Sequence, residues 1–144
     1  MTPDSALADR MLIRERMSAY ADAAFRGDLD AYLACWSEDG VRIGNGAEVR
    51  GKPALRAQWL KIWAILDRMT FFTETCAIEV EGDRATARCY CREILLLKSG
   101  GMRKVVGRYD DELVRENGIW LFARREYALF IDEGASPAPA SGAA

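Results

Sequence analysis

The chain has 144 residues, half of them hydrophobic and 29% charged, with a net charge of −2 and a pI of about 5.3. This length and composition are typical of one soluble globular domain that can bury a sizeable core. The sequence lacks a basic stripe, a membrane-length apolar run and a signal peptide, which argues against nucleic-acid binding, a membrane span and export, so a cytoplasmic protein is expected.

Three helices are predicted in the first half of the chain. The first begins at Thr2-Pro3, ends at Gly27 and has a helical stripe of apolar residues (Ile13, Met17, Tyr20, Ala21 and Ala24). Asp28 can cap a short second helix, whose apolar residues are Leu29, Tyr32, Leu33 and Trp36. Gly51-Lys52-Pro53 opens the third helix, whose apolar face is Leu55, Trp59, Ile62, Trp63 and Leu66.

Strands are predicted between the second and third helices and throughout the second half. Two short strands, 41–44 and 47–50, flank Asn45-Gly46, which is a strong hairpin signal. Four long strands follow near 69–81, 84–98, 103–116 and 119–131, and each turn between them is rich in glycine. This order predicts an α+β protein in which three helices pack on a curved, mainly antiparallel sheet, with a pocket between the two layers.

Histidine is absent, and four cysteines are present. The absence of histidine removes the usual general base near neutral pH and the commonest ligand of a catalytic metal. The cysteines (Cys35, Cys76, Cys89 and Cys91) match no zinc spacing and are expected to be free thiols in a reducing compartment. We therefore predict a site without metal or cofactor.

Four stretches in a fixed order resemble the SnoaL-like members of the nuclear transport factor 2-like superfamily. They are IRERMSAYADAAFRGDLDAYLACWSEDGV, RGKPALRAQW, IEVEGDRATA and GRYDDELVRENGIWLFARREY. The resemblance implies a SnoaL-like domain over 1–131, a cone-shaped α+β barrel with a deep apolar pocket, and a homodimer. Residues 132–144 are small and Pro-rich, and are predicted to be a disordered tail.

The superfamily includes isomerases, dehydratases, cyclases, epoxide hydrolases and non-catalytic binding modules, so the fold leaves the activity open. The branch similar to scytalone dehydratase uses an aspartate five residues after the helix tyrosine, here Tyr20, and a histidine eleven residues before the Gly82 turn. Those positions are Phe25 and Phe71 in this chain. The resemblance therefore does not supply that catalytic pair.

Polar residues of the sheet are the alternative source of chemistry. If each turn is a two-residue loop, Phe71 lies opposite Ile94, and directly opposed residues share a face. The Phe71 face then carries two rows, Thr75, Tyr90, Asp111 and Arg124, and Thr73, Arg92, Tyr109 and Glu126. A bulge in any strand would exchange the two faces.

These rows suggest a catalytic group of Asp111, Tyr109, Tyr20 and Arg92. Asp111 would accept a proton, a tyrosine would donate a hydrogen bond to an oxyanion, and an arginine would hold a substrate oxygen. The ligand-binding residues would be Tyr32, Trp36, Trp59, Trp63, Phe25, Phe71, Thr73, Tyr90 and Arg124. Alternatively, Asp111 and Arg124 form a structural ion pair, and the aromatic residues are core packing.

The opposite face of the sheet would carry small apolar residues, namely Cys76, Ile78, Val80, Ala85, Ala87 and Cys89. Such a face needs a cover, which predicts a homodimer. The sequence thus favours a protein that binds a small hydrophobic molecule. It is interpreted as a cofactor-free isomerase, dehydratase or cyclase, or alternatively as a non-catalytic binding or dimerisation module.

Overall fold

The computed structural model describes residues 2–136, which form three helices and six strands. The helices are α1 (Pro3–Arg26), α2 (Leu29–Ala34) and α3 (Lys52–Ile65). The strands are β1 (Trp36–Gly44), β2 (Ala47–Arg50), β3 (Leu66–Glu81), β4 (Arg84–Leu97), β5 (Met102–Glu116) and β6 (Ile119–Ser136). Strand β6 continues five residues past its predicted end, and the rest of the predicted tail, 137–144, lies outside the described residues.

The strands form one sheet in the order β2-β1-β6-β5-β4-β3. Strand β1 runs parallel to β6, and every other neighbouring pair is antiparallel. The helices pack on the inner face of this curved sheet, and the apolar core lies between the two layers. The predicted fold class, a cone-shaped α+β barrel, is confirmed.

Local signals position α1 as the sequence predicts. The Thr2 hydroxyl accepts a hydrogen bond from the Ser5 backbone N–H at 3.1 Å, and Gly27 ends the helix in the left-handed region at φ 65°. Two arginines then attach the helix to strand backbones. Arg14 donates to the Thr75 carbonyl at 3.0 Å, and Arg16 donates to the Trp120 carbonyl at 2.7 Å.

The predicted strand register is correct for the residue pairs next to two of the turns, and it is wrong farther along the strands. Glu81 pairs with Arg84 as expected, but a bulge between Cys76 and Glu79 shifts the pairing by one residue. Phe71 consequently lies opposite Glu93 instead of Ile94. Ala77, inside the bulge, has φ 50°, which is uncommon for a residue other than glycine.

The other two pairings of the meander also differ from the predicted register, for two different reasons. A second bulge between Glu112 and Leu113 puts Asp111 opposite Arg125 instead of Arg124. The β4–β5 connection is longer than predicted, because the last ladder pair is Leu96 with Met102. Every polar row predicted for the pocket face therefore changes its composition.

The face predicted to be covered by a second subunit is part of the core. Cys89, Ala85, Ala87 and Ile78 are 0 to 6% exposed, and they face the helices. The bulge explains the error, since a one-residue slip moves alternate side chains to the other face. The homodimer stays a prediction, but these small residues no longer give a reason for it.

No helix among the described residues is long and apolar enough to cross a membrane.

Candidate ligand-binding site

Two adjacent cavities lie between the helices and the inner face of the sheet, at the end opposite the β3–β4 and β5–β6 turns. We call this end the open end. An inner cavity of about 50 Å³ lies beneath α1, α2 and α3. A vestibule of about 340 Å³ lies beside it. Four residues line both spaces, Arg42, Ile62, Met69 and Glu93, so these side chains form the junction between them.

Arg42, on β1, supplies a positive charge at this junction. Its guanidinium donates to the Tyr109 hydroxyl and to the Gln58 side-chain oxygen, both at 3.4 Å, and both partners are neutral. Within residues 2–136 no carboxylate lies within the 4.0 Å ion-pair distance of Arg42. The neighbouring Tyr109 raises the pKa of Arg42, so the guanidinium remains charged. A partly buried cation without a counter-ion is a candidate anion-binding group.

Glu93, on β4, supplies a carboxylate at the same junction. Burial raises the pKa of Glu93, and the positive charges of Arg42 and Arg103 oppose this effect. No arginine or lysine nitrogen of the described chain lies within 4.0 Å of the Glu93 oxygens. A carboxylate with a raised pKa that faces a cavity can act as a proton acceptor near neutral pH.

Aromatic side chains build the walls of the inner cavity. The rings of Tyr32 and Trp59 stack with centroids 4.4 Å apart, and Tyr20 contacts Tyr32 edge-on at 5.3 Å. Phe71 and Tyr109 complete the sheet side, and Trp63 lies on the α3 side. The structure thus places six of the predicted site residues around the inner cavity, and their roles in catalysis or ligand binding stay predictions: Tyr20, Tyr32, Trp59, Trp63, Phe71 and Tyr109.

Asp111 lies on the inner face but outside both cavities. Its carboxylate accepts hydrogen bonds from Arg125 Nε at 2.7 Å and Arg125 Nη2 at 3.1 Å, and both side chains are at most 1% exposed. The Arg125 guanidinium also lies 4.4 Å from the ring centre of Tyr20, 4.0 Å from Tyr109 and 4.2 Å from Phe122. This geometry favours the structural alternative for Asp111, with Arg125 as its partner in place of Arg124.

Three predicted pocket residues, Tyr90, Arg92 and Arg124, lie on the outer face of the sheet. Their neighbours in sequence, Cys89, Cys91 and Arg125, are the ones that point inward, with 0, 3 and 1% exposure. Tyr90 contacts Phe130, Arg92 lies 3.6 Å from Glu133, and Arg124 lies 3.1 Å from Glu126. Their predicted position in the pocket is wrong because of the register shifts.

Phe25, Trp36 and Thr73 also lie away from the cavities. Phe25 is 47% exposed and packs on Phe72, and the α1 residue that lines the inner cavity next to Tyr20 is Ala24. Trp36 belongs to β1 rather than to α2 and is fully buried in the core. Thr73 pairs with Cys91 on the inner face but lines neither cavity.

The sequence interpretation missed Arg42, Gln58, Glu93 and Tyr127. A signal for Glu93 exists in the sequence, because Cys76-Ala77-Ile78 interrupts the alternation of β3, which is typical of a bulge. That bulge reverses the assignment of faces and turns Glu93 inward. Arg42 gives no comparable signal, since a charged residue in a short edge hairpin is ordinarily exposed.

A larger depression of about 540 Å³ lies beside the β3–β4 turn. It is a poorer candidate because Glu79, Glu81, Arg84 and Thr86, which line it, are exposed side chains of the outer surface. The described residues contain no group of three or more Cys, Asp or Glu side chains placed to hold a metal ion. The open end therefore carries the candidate site.

The chain is an α+β protein in which three helices cover a curved sheet, with an aromatic cavity and polar groups at its mouth. The family model for the SnoaL-like domain matches residues 5–126. The chain therefore belongs to the SnoaL-like domain family.

Solved structures with the same fold carry names that refer to different activities. A protein from Novosphingobium aromaticivorans proposed to be an aromatic ring hydroxylase is 27% identical, with a TM-score of 0.82 and coverage of 91% of this chain and 93% of that one. A protein from the same organism proposed to be a scytalone dehydratase is 19% identical, with a TM-score of 0.85 and coverage of 91% and 90%.

The hexachlorocyclohexane dehydrochlorinase LinA-type3 from Novosphingobium barchaimii is 14% identical, with a TM-score of 0.84 and coverage of 94% of this chain and 96% of that one. At the two lower identities the likeness shows the fold alone. A search of curated proteins gave no significant match.

Proposed function

We propose that this protein binds a small, largely apolar carbonyl compound at the open end and moves a proton on it without a cofactor. The observation that carries the proposal is the placement of Arg42 and Glu93. They line the same junction, and neither makes an ion pair within the described chain. A carbonyl group between them would meet a hydrogen-bond donor on its oxygen and a base near its α-carbon.

The chemical step would be enolisation. The Glu93 carboxylate removes a proton from the α-carbon, and the electron pair of the broken C–H bond forms the C=C bond of an enolate. The negative charge that develops on oxygen is stabilised by Arg42 and by the Tyr109 hydroxyl. Return of the proton from Glu93 to another carbon is an isomerisation. Transfer of that proton to a β-hydroxyl group, which leaves as water while the enolate collapses to an α,β-unsaturated carbonyl compound, is a dehydration.

Burial supports the roles of these groups. Burial raises the pKa of Tyr109 strongly, so its hydroxyl stays protonated and can donate a hydrogen bond. The raised pKa of Glu93 makes its carboxylate a stronger base than an exposed glutamate. Because the base must be ionised, the reaction rate is expected to rise with pH through the pKa of Glu93.

A probe with an acidic α-carbon tests the proposal without knowledge of the natural substrate. β-Tetralone is a bicyclic ketone whose α-protons exchange with deuterium in D₂O, and proton NMR follows the loss of signal. We expect the wild type to accelerate exchange, and Glu93→Gln to lose at least about a hundredfold of that acceleration. Arg42→Gln should lose about tenfold or more.

Glu74→Gln is the matched control, since Glu74 is exposed on β3 and lines neither cavity. It should exchange β-tetralone at the wild-type rate. Equal acceleration by wild type and Glu93→Gln would contradict the proposal.

The second candidate function is non-catalytic binding. It is favoured by the small inner cavity, about 50 Å³, and by Phe71, which is 5% exposed and fills the position expected for a catalytic histidine. Binding of β-tetralone by the wild type without any accelerated exchange would support this candidate over the enzyme.

A further inference from the structure

Gly107 interrupts the middle of β5 with no local backbone reason. Its φ is not positive, so any residue could adopt its conformation. A glycine inside a strand typically lowers stability, because it has no side chain to pack and loses more entropy on folding. A glycine at such a position often marks a close approach by another group.

The group that approaches Gly107 is the ring of Tyr127, on β6. A Cβ atom added at Gly107 would overlap Cε2, Cζ and Oη of that ring. On the other side, a Cβ added at Gly44 would lie 2.8 Å from the Cβ of Tyr127. Two glycines of two different strands thus leave room for this one side chain.

Tyr127 is also a wall of the vestibule, together with Arg42, Glu93 and Arg103. Its ring centre lies 5.1 Å from that of Tyr109. Burial and the nearby Glu93 raise the pKa of Tyr127, so its hydroxyl is uncharged at neutral pH. The ring occupies the place of a Gly107 side chain, and a ring displaced from that place would enter the vestibule that it lines.

We propose that Tyr127, seated on Gly107, determines how wide a ligand the vestibule accepts. This inference rests on the proposed function, since it concerns the ligand of the same site. A cavity of about 340 Å³ is at the small end of the range for ligand pockets, which fits a flat molecule of two fused rings with one oxygen-bearing group directed at Arg42. A third fused ring would meet the Tyr127 side chain.

The contact itself is tested first, by thermal denaturation of Gly107→Ala, Tyr127→Ala and the double variant. Gly107→Ala is expected to lower the Tm by several degrees in the wild type, because the methyl group displaces the ring. In the Tyr127→Ala background the same change should be neutral or stabilising, since the ring is gone. Equal loss of Tm in both backgrounds would overturn the seating of Tyr127 on Gly107.

Ligand width is tested by calorimetric titration with naphthoate and anthracenecarboxylate. We expect the wild type to prefer naphthoate and Tyr127→Ala to shift the affinity ratio toward anthracenecarboxylate by about tenfold or more. Tyr127→Phe keeps the ring and should keep the wild-type ratio, whereas a general loss of structure would weaken both acids together.

The outcomes separate the two proposals. An unchanged ratio in Tyr127→Ala, with naphthoate still bound, would overturn the role of Tyr127 and leave the proposed function standing. Absence of binding of either acid to the wild type would overturn the ligand role of the vestibule as a whole, while the thermal denaturation series would still report on the Gly107 contact.

Discussion

The two ends of the cone differ in whether the charged side chains named below have ion-pair partners. At the closed end, beside the β3–β4 and β5–β6 turns, the Asp9 carboxylate accepts from Arg115 at 2.6 Å and from the Trp120 indole at 3.2 Å. Arg115 also pairs with Asp83 at 2.9 Å. At the open end, Arg42 and Glu93 face one cavity, and neither has an oppositely charged partner within 4.0 Å in the described chain.

The presence or absence of an ion-pair partner distinguishes charged side chains that stabilise the fold from charged side chains that are available to a ligand. A buried ion pair satisfied within its own chain is explained by folding, and losing one partner leaves the other uncompensated. A partly buried charge without an ion-pair partner lowers stability and marks a candidate functional site. Asp111 and Arg125 follow the first pattern, although the sequence suggested catalysis for Asp111.

The largest expected effect is on stability, from Asp111→Asn. The substitution leaves the buried Arg125 cation without a carboxylate partner, and breaking a buried pair typically costs about 3–5 kcal/mol of unfolding free energy. Asp83→Asn is the control, because Asp83 is 74% exposed and its pair with Arg115 contributes at most about 1 kcal/mol. Chemical denaturation measures both.

If Asp111→Asn kept wild-type stability but lost β-tetralone exchange, the assignment of Asp111 to structure would be wrong. Pairing within the chain would then no longer distinguish structural from functional charged residues, because Asp111 is the clearest example of a paired one.

A smaller effect is expected for the pH dependence of stability in Glu93→Gln. Because burial raises the pKa of Glu93 in the folded state, its contribution to stability is fully present below the unfolded pKa of about 4.3 and is lost as the pH rises through the folded pKa. Glutamine does not titrate. The Tm of the variant minus that of the wild type should therefore increase from about pH 4 to about pH 8.

A Tm difference that stays constant over this pH range would show that Glu93 is not destabilised by burial. Glu93 would then no longer support ligand binding at the open end, and Arg42 would be the one remaining unpaired charge in that argument.

The smallest effect is expected for Arg92→Gln. Arg92 is half-exposed on the outer face, where it lies 3.6 Å from Glu133, so the substitution should change stability by less than about 1 kcal/mol. It should also leave β-tetralone exchange unchanged, in contrast to Arg42→Gln. A loss of exchange in Arg92→Gln would mean that the sheet register seen here does not describe the active protein.

The sequence predicted elements and turns well because their signals are local. Thr2, Gly27 and Asp28 cap helices where expected, and the Asn117-Gly118 turn joins strands in the predicted register for its first four pairs. The helix and strand periodicities also identified the aromatic residues of the inner cavity, such as Tyr20 and Trp59.

The register beyond the turns was not predictable in the same way. Each bulge adds one residue to one strand, and its place depends on how the strand bends over the helices. Because of one such residue, Ala77, the side chain of Glu93 points inward and that of Arg92 points outward, opposite to the predicted assignment. Of the three candidate catalytic residues taken from the sheet, Arg92 therefore lies on the outer face, whereas Asp111 and Tyr109 lie on the inner face.

The sequence by itself determined the α+β class, the element order and the aromatic lining, because capping, turn chemistry and hydrophobic periodicity act over a few residues. Only the tertiary structure decided which charges face the cavity and which are paired. That decision depends on contacts between residues far apart in the chain, such as Asp111 with Arg125 and Arg42 with Tyr109. It also depends on bulges that show little in the sequence and reverse a whole strand face.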